Sequence, residues 1–143
     1  MKVLQVAKPH EVLIIDKEVR ALEAGEVLVD VKRVGICGSD LLIYNGDNPF
    51  TIYPRVIGHE IAGIVAQVAV DVSDFAVGDR VCIDPVLNCG VCDACRRGHP
   101  NVCSSLQVMG VHTDGGFASQ FIVPAKNLYK VPEHLSWETA VLV

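Results

Sequence analysis

Long hydrophobic runs and excess positive charge are both missing from this 143-residue sequence. No run approaches the roughly eighteen apolar residues that a transmembrane helix needs. A signal peptide is not indicated at the N-terminus, because Lys8 and Pro9 interrupt the first apolar stretch. A net charge of −5 argues against a nucleic-acid-binding surface. We therefore expect a cytoplasmic protein that binds neither membrane nor nucleic acid.

Low-complexity tracts are also missing, and the composition is that of a globular protein, with 50% hydrophobic and 20% charged residues. A chain of this length buries roughly 70% of its unfolded surface, so it does not need disulfide bonds to fold. The sequence contains six cysteines. In a reducing compartment such cysteines are more often metal ligands than disulfide partners.

Strand-like segments dominate the chain. In Glu26–Lys32, valines alternate with mostly charged residues, which is the period of a half-buried strand. The other predicted strands are Val12–Ile15, Ile57–Val70, Arg80–Ile83 and Phe117–Val123. Turn-forming residues flank most of them. Short strands at this spacing predict an antiparallel barrel or sandwich.

Helical segments are few and short. One helix is predicted at Gly38–Tyr44, and a second after Ser136, a suitable N-cap residue, over Trp137–Val143. Because that second pattern stops within an apolar run, we expect the chain to be the first part of a longer protein. Gly63 lies inside the apolar run Ile61–Val68, where it indicates a β-bulge.

Four cysteines lie within fifteen residues, in the pattern C-x-x-C-x-x-C-x(7)-C formed by Cys89, Cys92, Cys95 and Cys103. Four thiolates leave no open coordination position, so the cluster predicts a structural zinc site. An iron–sulfur cluster is the alternative, since C-x-x-C-x-x-C also opens the bacterial ferredoxin motif. In that motif the fourth cysteine follows three residues later and precedes proline, whereas Cys103 follows seven later and precedes serine. The remaining possibility is that the four thiols bind no metal.

A second set of possible ligands is formed by Cys37, His59 and Glu60. A thiolate, an imidazole and a carboxylate can hold zinc and leave a fourth position for water or substrate. Asp40 is a candidate to orient the histidine from behind. Spacing alone leaves simpler readings open, because an isolated cysteine is usually a small buried hydrophobe and a His-Glu pair often only begins a solvated strand. We interpret Cys82 as such a core residue.

Taken together, several motifs resemble those of the zinc-dependent medium-chain dehydrogenases, in the same order and over nearly the whole chain. They are Gly35-Ile36-Cys37-Gly38-Ser39-Asp40, Gly58-His59-Glu60, Gly78-Asp79-Arg80-Val81, the four-cysteine cluster, and Asp114-Gly115-Gly116-Phe117-Ala118. The resemblance is strongest to the polyol, threonine and sugar-acid dehydrogenase branch. It implies that residues 1–143 form a mainly β, GroES-like, partly open barrel with short helices and a structural zinc lobe.

The resemblance also implies a role for each matching residue. Cys37 and His59 correspond to catalytic zinc ligands, and Glu60 to a glutamate that binds this metal directly or through water. Ser39 corresponds to the hydroxyl that takes the substrate proton, and Asp40 to the carboxylate that orients the histidine. The structural zinc ligands would be Cys89, Cys92, Cys95 and Cys103.

Two features depart from the pattern of this family. Leu42 stands where many members have a proton-relaying histidine, so protons would leave through the cofactor ribose and water, or through His112 if it faces the cleft. A solvated loop is the simpler reading of His112. No G-x-G-x-x-G turn occurs between Met1 and Val143, so a Rossmann domain for NAD or NADP is expected only after Val143.

The expected function is thus that of the catalytic domain of a zinc-dependent oxidoreductase. It would oxidise a secondary alcohol, such as a polyol, sugar acid or hydroxy amino acid, by hydride transfer to NAD or NADP, with one catalytic and one structural zinc. This chain alone is expected to be inactive, and the full-length protein to be a homo-dimer or homo-tetramer. The alternative is a zinc-stabilised structural or protein-binding barrel without catalysis.

Overall fold

The computed structural model describes residues 1–142, and strands make up most of its regular structure. The strands are β1 (Lys2–Lys8), β2 (Glu11–Asp16), β3 (Glu26–Gly35), β4 (Arg55–Val56), β5 (Glu60–Val68), β6 (Arg80–Ile83), β7 (Val86–Leu87), β8 (Gln107–Val108), β9 (Gln120–Pro124) and β10 (Leu128–Lys130). The helices are α1 (Gly38–Asn45), α2 (Asp93–Arg96) and α3 (Trp137–Ala140), with 3₁₀ turns at Pro100–Val102 and Ala125–Asn127. None of the described helices is long and apolar enough to cross a membrane.

Three antiparallel sheets form the domain. The largest has the strand order β10-β6-β5-β3-β9, the second has the order β2-β1-β4, and β7 pairs with β8. The main core lies against the five-stranded sheet and includes Val27, Val29, Ile61 and Val65, all nearly inaccessible to solvent. This arrangement confirms the mainly β class predicted from the spacing of the strands.

The β3–β5 ladder is the longest pairing, and it runs to the site described below. It joins Val27 opposite Val68 at one end to Gly35 opposite Glu60 at the other. The predicted bulge lies at Gly63, although the extra residue is Lys32 on the partner strand, between the pairs of Val31 with Gly63 and Arg33 with Ala62. A side chain at Gly63 would collide with the Asp30 carbonyl, so glycine permits the close approach of the two backbones there.

The predicted bounds of several elements differ from the observed ones. The strand expected over Ile57–Val70 is β5, which starts later, at Glu60, and the strand expected from Phe117 is β9, which starts at Gln120. Both preceding segments instead bond to each other, with the Phe117 N–H donating to the Ile57 carbonyl at 2.9 Å. Strands β1, β4, β7, β8 and β10 were not predicted.

Both predicted helices are present, with different ends. Helix α1 extends one residue past Tyr44, whereas α3 ends at Ala140, and Val143 lies outside the described residues. Ser136 is the N-cap of α3, because its hydroxyl accepts a hydrogen bond from the Thr139 N–H at 3.2 Å.

Candidate metal centres

The β3–β5 ladder brings Cys37, His59 and Glu60 together. Cys37 follows the end of β3, His59 immediately precedes β5, and Glu60 is the first residue of β5. Because Gly35 lies directly opposite Glu60, the two chain segments meet at one end of the ladder. One ligand atom from each of Cys37, His59 and Glu60 lies within 4.8 Å of the other two. We call these three residues the ladder-end site.

Asp40 connects the two segments that carry these ligands. Its side chain is 2% exposed, and one carboxylate oxygen accepts the Cys37 N–H at 2.9 Å. The other oxygen accepts the Gly58 N–H at 3.1 Å and lies 3.7 Å from His59 Nδ1. The buried carboxylate therefore fixes the backbone next to both Cys37 and His59.

The imidazole of His59 is oriented by its surroundings. Its Nδ1 atom is buried and has no hydrogen-bond partner among the described residues, with the Asp40 carboxylate as its nearby charge. The opposite nitrogen, Nε2, lies 3.3 Å from the Ser39 hydroxyl. Nδ1 thus faces the Asp40 carboxylate and Nε2 faces Ser39, and with its proton on Nδ1 the ring would leave Nε2 free for a metal, as is usual for a metal-ligating histidine.

The donor set of the ladder-end site fits zinc. One thiolate, one imidazole and one carboxylate are ligand types that zinc accepts, and three protein ligands leave a fourth position open. Beside His59 and Glu60 lies a cavity of about 210 Å³, whose other lining residues are Ile61, Ile83, Pro85, Val141 and Leu142. A cavity thus adjoins the site on the side of His59 and Glu60.

Gly58, which precedes His59, helps to hold the site, a role that was not predicted from the sequence. Gly58 has a φ of 92°, a conformation that favours glycine, and its N–H is one of the two donors to Asp40. Its carbonyl accepts the Gly116 N–H at 2.8 Å. The Gly-His-Glu motif was the available signal, but only the fold shows that Gly58 holds the backbone at His59.

The four-cysteine cluster forms a second candidate metal centre. One sulfur from each of the four residues lies within 4.8 Å of the others. The Cys92 N–H donates to the Cys89 sulfur at 3.3 Å, and the Cys89 N–H donates to the Cys103 sulfur at 3.4 Å. Backbone N–H groups directed at sulfur favour thiolates, which are the metal-binding form.

The pKa values of two of these thiols, Cys92 and Cys95, are shifted in opposite directions. Backbone N–H groups of Cys95 and Ser104 lower the pKa of Cys92 to about 6. Desolvation, followed by the hydrogen bond with Cys92, raises the pKa of Cys95 to about 12. Four thiols this close cannot all ionise without a counter-charge. A divalent cation would supply that charge, so the cluster fits a closed structural zinc.

The remaining predicted positions lie outside the two metal centres. His112 accepts the Val108 N–H on its Nδ1 at 3.1 Å and packs on Phe50, so it is engaged in its own turn. Leu42 is about half exposed on α1. Cys82 is partly buried against the cluster that includes Ala62 and Val131, and burial raises the pKa of its thiol.

The fold and the two ligand clusters together describe a β-rich domain with two candidate metal centres. Residues 23–133 match the model of the alcohol dehydrogenase GroES-like domain. The chain belongs to this family, and the resemblance inferred from the motifs is confirmed. The GroES-like fold is confirmed with it.

Individual relatives share this domain across nearly the whole chain. The starvation-sensing protein RspB of Escherichia coli K12 is 50% identical over 143 residues, which are 100% of this chain and 42% of RspB. The L-galactonate-5-dehydrogenase of the same organism is 38% identical over 128 residues, 90% of this chain and 38% of that protein. The chain therefore spans about two fifths of the length of these curated relatives.

Solved structures agree with these sequence matches. A short chain alcohol dehydrogenase (rspB) from E. coli CFT073, complexed with NADH, superposes with a TM-score of 0.92 at 50% identity, covering 99% of this chain and 41% of that one. Galactitol-1-phosphate dehydrogenase from Escherichia coli superposes with a TM-score of 0.93 at 30% identity, covering 99% and 41% respectively.

Proposed function

We propose that this chain is the zinc- and substrate-binding domain of an NAD- or NADP-linked dehydrogenase. Its substrate would be a secondary alcohol in a polyol, sugar acid or hydroxy amino acid. The observation that carries the proposal is the convergence of Cys37, His59 and Glu60 within 4.8 Å, with the Ser39 hydroxyl 3.3 Å from His59 Nε2. Relatives named as sugar-acid, polyol and threonine dehydrogenases support this substrate class.

Each residue of the site has a separate task in this proposal. Cys37, His59 and Glu60 would hold a zinc ion, which would supply a Lewis acid that lowers the pKa of a hydroxyl group at the open position. Ser39 would take up the proton of the substrate hydroxyl while releasing its own, since its hydroxyl lies beside the proposed ligand histidine. Asp40 keeps the His59 ring oriented and the Cys37 backbone in place.

The route of the proton beyond Ser39 follows from the neighbouring residues. Leu42 offers no group that carries a proton, and His112 is held in its own turn. The proton would therefore pass from Ser39 to water, or to a ribose hydroxyl of a bound cofactor, rather than to a second side chain of this domain. Hydride transfer needs a nicotinamide cofactor, which we assign to a Rossmann domain following residue 143 in the complete protein.

The test is the Cys37→Ser variant of the complete gene product that contains this chain, with Cys82→Ser as the matched control. Both remove one thiol, but Cys82 lies outside the metal centres. Formation of NADH or NADPH is followed by absorbance with polyols, sugar acids and threonine. We expect the Cys37 variant to lose at least 100-fold in kcat/KM, as is typical when a catalytic group is removed, and the control to retain activity. Near wild-type activity of Cys37→Ser would refute the proposal.

Metal content separates this function from the alternative of a structural or binding barrel. We expect about two zinc ions per chain in the wild type and about one in Cys37→Ser, counted by elemental analysis. A wild type with a single zinc, released only on unfolding, would favour the non-catalytic module. The cytoplasmic location and the homo-oligomeric state remain predictions.

A further inference from the structure

The carboxylate of Glu60 occupies the space where a side chain at position 35 would stand. Gly35 and Glu60 are direct partners in the β3–β5 ladder, and side chains of directly opposed residues share one face of a sheet. A Cβ placed on Gly35 would overlap Glu60 Oε2 and come within 3.0 Å of both the Cβ and the Cδ of Glu60. The carboxylate therefore lies folded back over the bare Cα of Gly35.

This close approach is not a consequence of unusual backbone geometry at Gly35. Its φ is not among the positive values that favour glycine, in contrast to Gly58 at 92°. The severe overlap is with Oε2, the far end of the flexible Glu60 side chain, whereas the Glu60 Cβ at 3.0 Å is fixed by its backbone. An alanine at position 35 thus requires only a small adjustment of the strand, and the group that has to move far is the Glu60 carboxylate.

We propose that Gly35 is a positioning residue for Glu60: its missing side chain provides the space that keeps the carboxylate among the ligand atoms of the ladder-end site. This inference rests on the proposed role of Glu60 as a metal ligand. Glu60 reaches within 4.8 Å of the ligand atoms of Cys37 and His59 in the same side-chain conformation that covers Gly35. A methyl group at position 35 would drive the carboxylate out of that conformation.

The choice of residue at position 35 therefore sets the ligand number of the site. With glycine, three side chains converge on one point. With any larger residue, the thiolate and imidazole remain, but the third donor is displaced. Outer contacts that orient metal ligands typically affect metal affinity by 10- to 100-fold, and displacing a ligand itself should have an effect of at least this size.

The experiment measures Co²⁺ release from the 143-residue protein to a chelator, followed by the visible absorption of the bound metal. The release phase that is missing in Cys37→Ser identifies the ladder-end site. The variants are Gly35→Ala, Glu60→Ala and the double variant, with Gly38→Ala as the matched control. A Cβ at Gly38 meets nothing within 4 Å, although Gly38 is even nearer to Cys37 in the chain than Gly35 is.

We expect Gly35→Ala to speed release of this metal by about 10-fold or more, with an altered absorption spectrum, and Gly38→Ala to behave as wild type. In the double variant the alanine at position 35 should add less than about twofold to the effect of Glu60→Ala, because the two changes act through one group. A wild-type release rate in Gly35→Ala would overturn the inference. So would an undiminished effect of this change in the Glu60→Ala background.

Two further outcomes are informative. If Gly35→Ala fails to fold, Glu60→Gly should restore folding by removing both the carboxylate and the Cβ that the methyl group meets, and failure of this rescue would overturn the inference. If the wild type binds only one Co²⁺ per chain, the proposed function itself fails, and the inference with it. If the wild type binds two ions but Gly35→Ala releases Co²⁺ at the wild-type rate, the inference fails while the proposed function stands.

Discussion

Replacement of Asp40 by alanine should destabilise the whole domain, although the residue lies at a site proposed for catalysis. The 2% exposed carboxylate accepts N–H groups from Cys37 and Gly58. A hydrogen bond to a charged group contributes about 1.5–3 kcal/mol, and its loss leaves a buried donor unsatisfied. Two such bonds correspond to about 3–6 kcal/mol, and we expect the lower end, since water can enter the space that alanine leaves.

The measurement is urea unfolding at a fixed excess of zinc, because metal binding to the folded state shifts apparent stability. Asp40→Ala should lower the free energy of unfolding by about 3 kcal/mol at an unchanged m-value, and lower the melting temperature by about 6–12 °C. Asp40→Asn keeps one acceptor oxygen and should cost roughly half as much.

Asp16→Ala is the control, since Asp16 pairs with Lys2 at 3.3 Å while 76% exposed. Such surface pairs contribute about 0–1 kcal/mol. An Asp40→Ala variant within about 1 kcal/mol of Asp16→Ala would refute the reasoning. In that case the two N–H groups would be satisfied equally well by other partners.

Burial opposes ionisation of Asp114, but Lys17, a backbone N–H and Arg55 outweigh it and hold the pKa of Asp114 below 3.8. Its ionised form therefore adds stability above that pH, which is lost as pH falls through the lowered pKa, and Asp114→Asn should flatten the acid limb of unfolding free energy against pH. An equally steep limb in this variant would contradict the assignment. Cys103→Ser removes a ligand of the four-cysteine cluster, so it should release one zinc per chain and increase proteolysis within residues 88–106, whereas Cys82→Ser should do neither. Limited proteolysis with mass spectrometry checks this, and an unchanged cleavage pattern with two zinc ions would count against a structural metal there.

The clearest strand prediction came from valines that alternate in the sequence, although the intervening Leu28 is buried as well. Strand β3 has Val27 and Val29 buried on one face, which is the expected period of two. Strand β1 was missed because its buried residues, Val3 and Val6, are three apart, and its pairing with β2 changes register after Val6. A period-two pattern does not detect a strand with such an irregularity.

The two metal centres differed in how far the sequence could identify them. The cysteine cluster is local, so its spacing was sufficient to predict a closed site. Cys37 and His59 are separated by 21 residues, and they meet only because Gly35 pairs with Glu60 in the ladder. The spacing of residues along the sequence does not reveal that pairing, so the ligands could be proposed only from the resemblance to a family. The space above Gly35 could be recognised only in three dimensions.

The two candidate metal centres differ in how far protein contacts alone hold their ligand residues in place. At the ladder-end site, the pairing of Gly35 with Glu60 and the Asp40 bridge join the two ligand-bearing segments through protein contacts alone. In the lobe over residues 88–106, Cys103 is the one buried residue, and the lobe is attached through the two-residue β7–β8 pairing and a few hydrogen bonds beside it. If both proposed sites bind zinc, the barrel would already hold the ligands of the first ion in place, whereas the second ion would itself act as the core of its lobe. Zinc starvation should consequently leave an intact barrel carrying an unfolded loop.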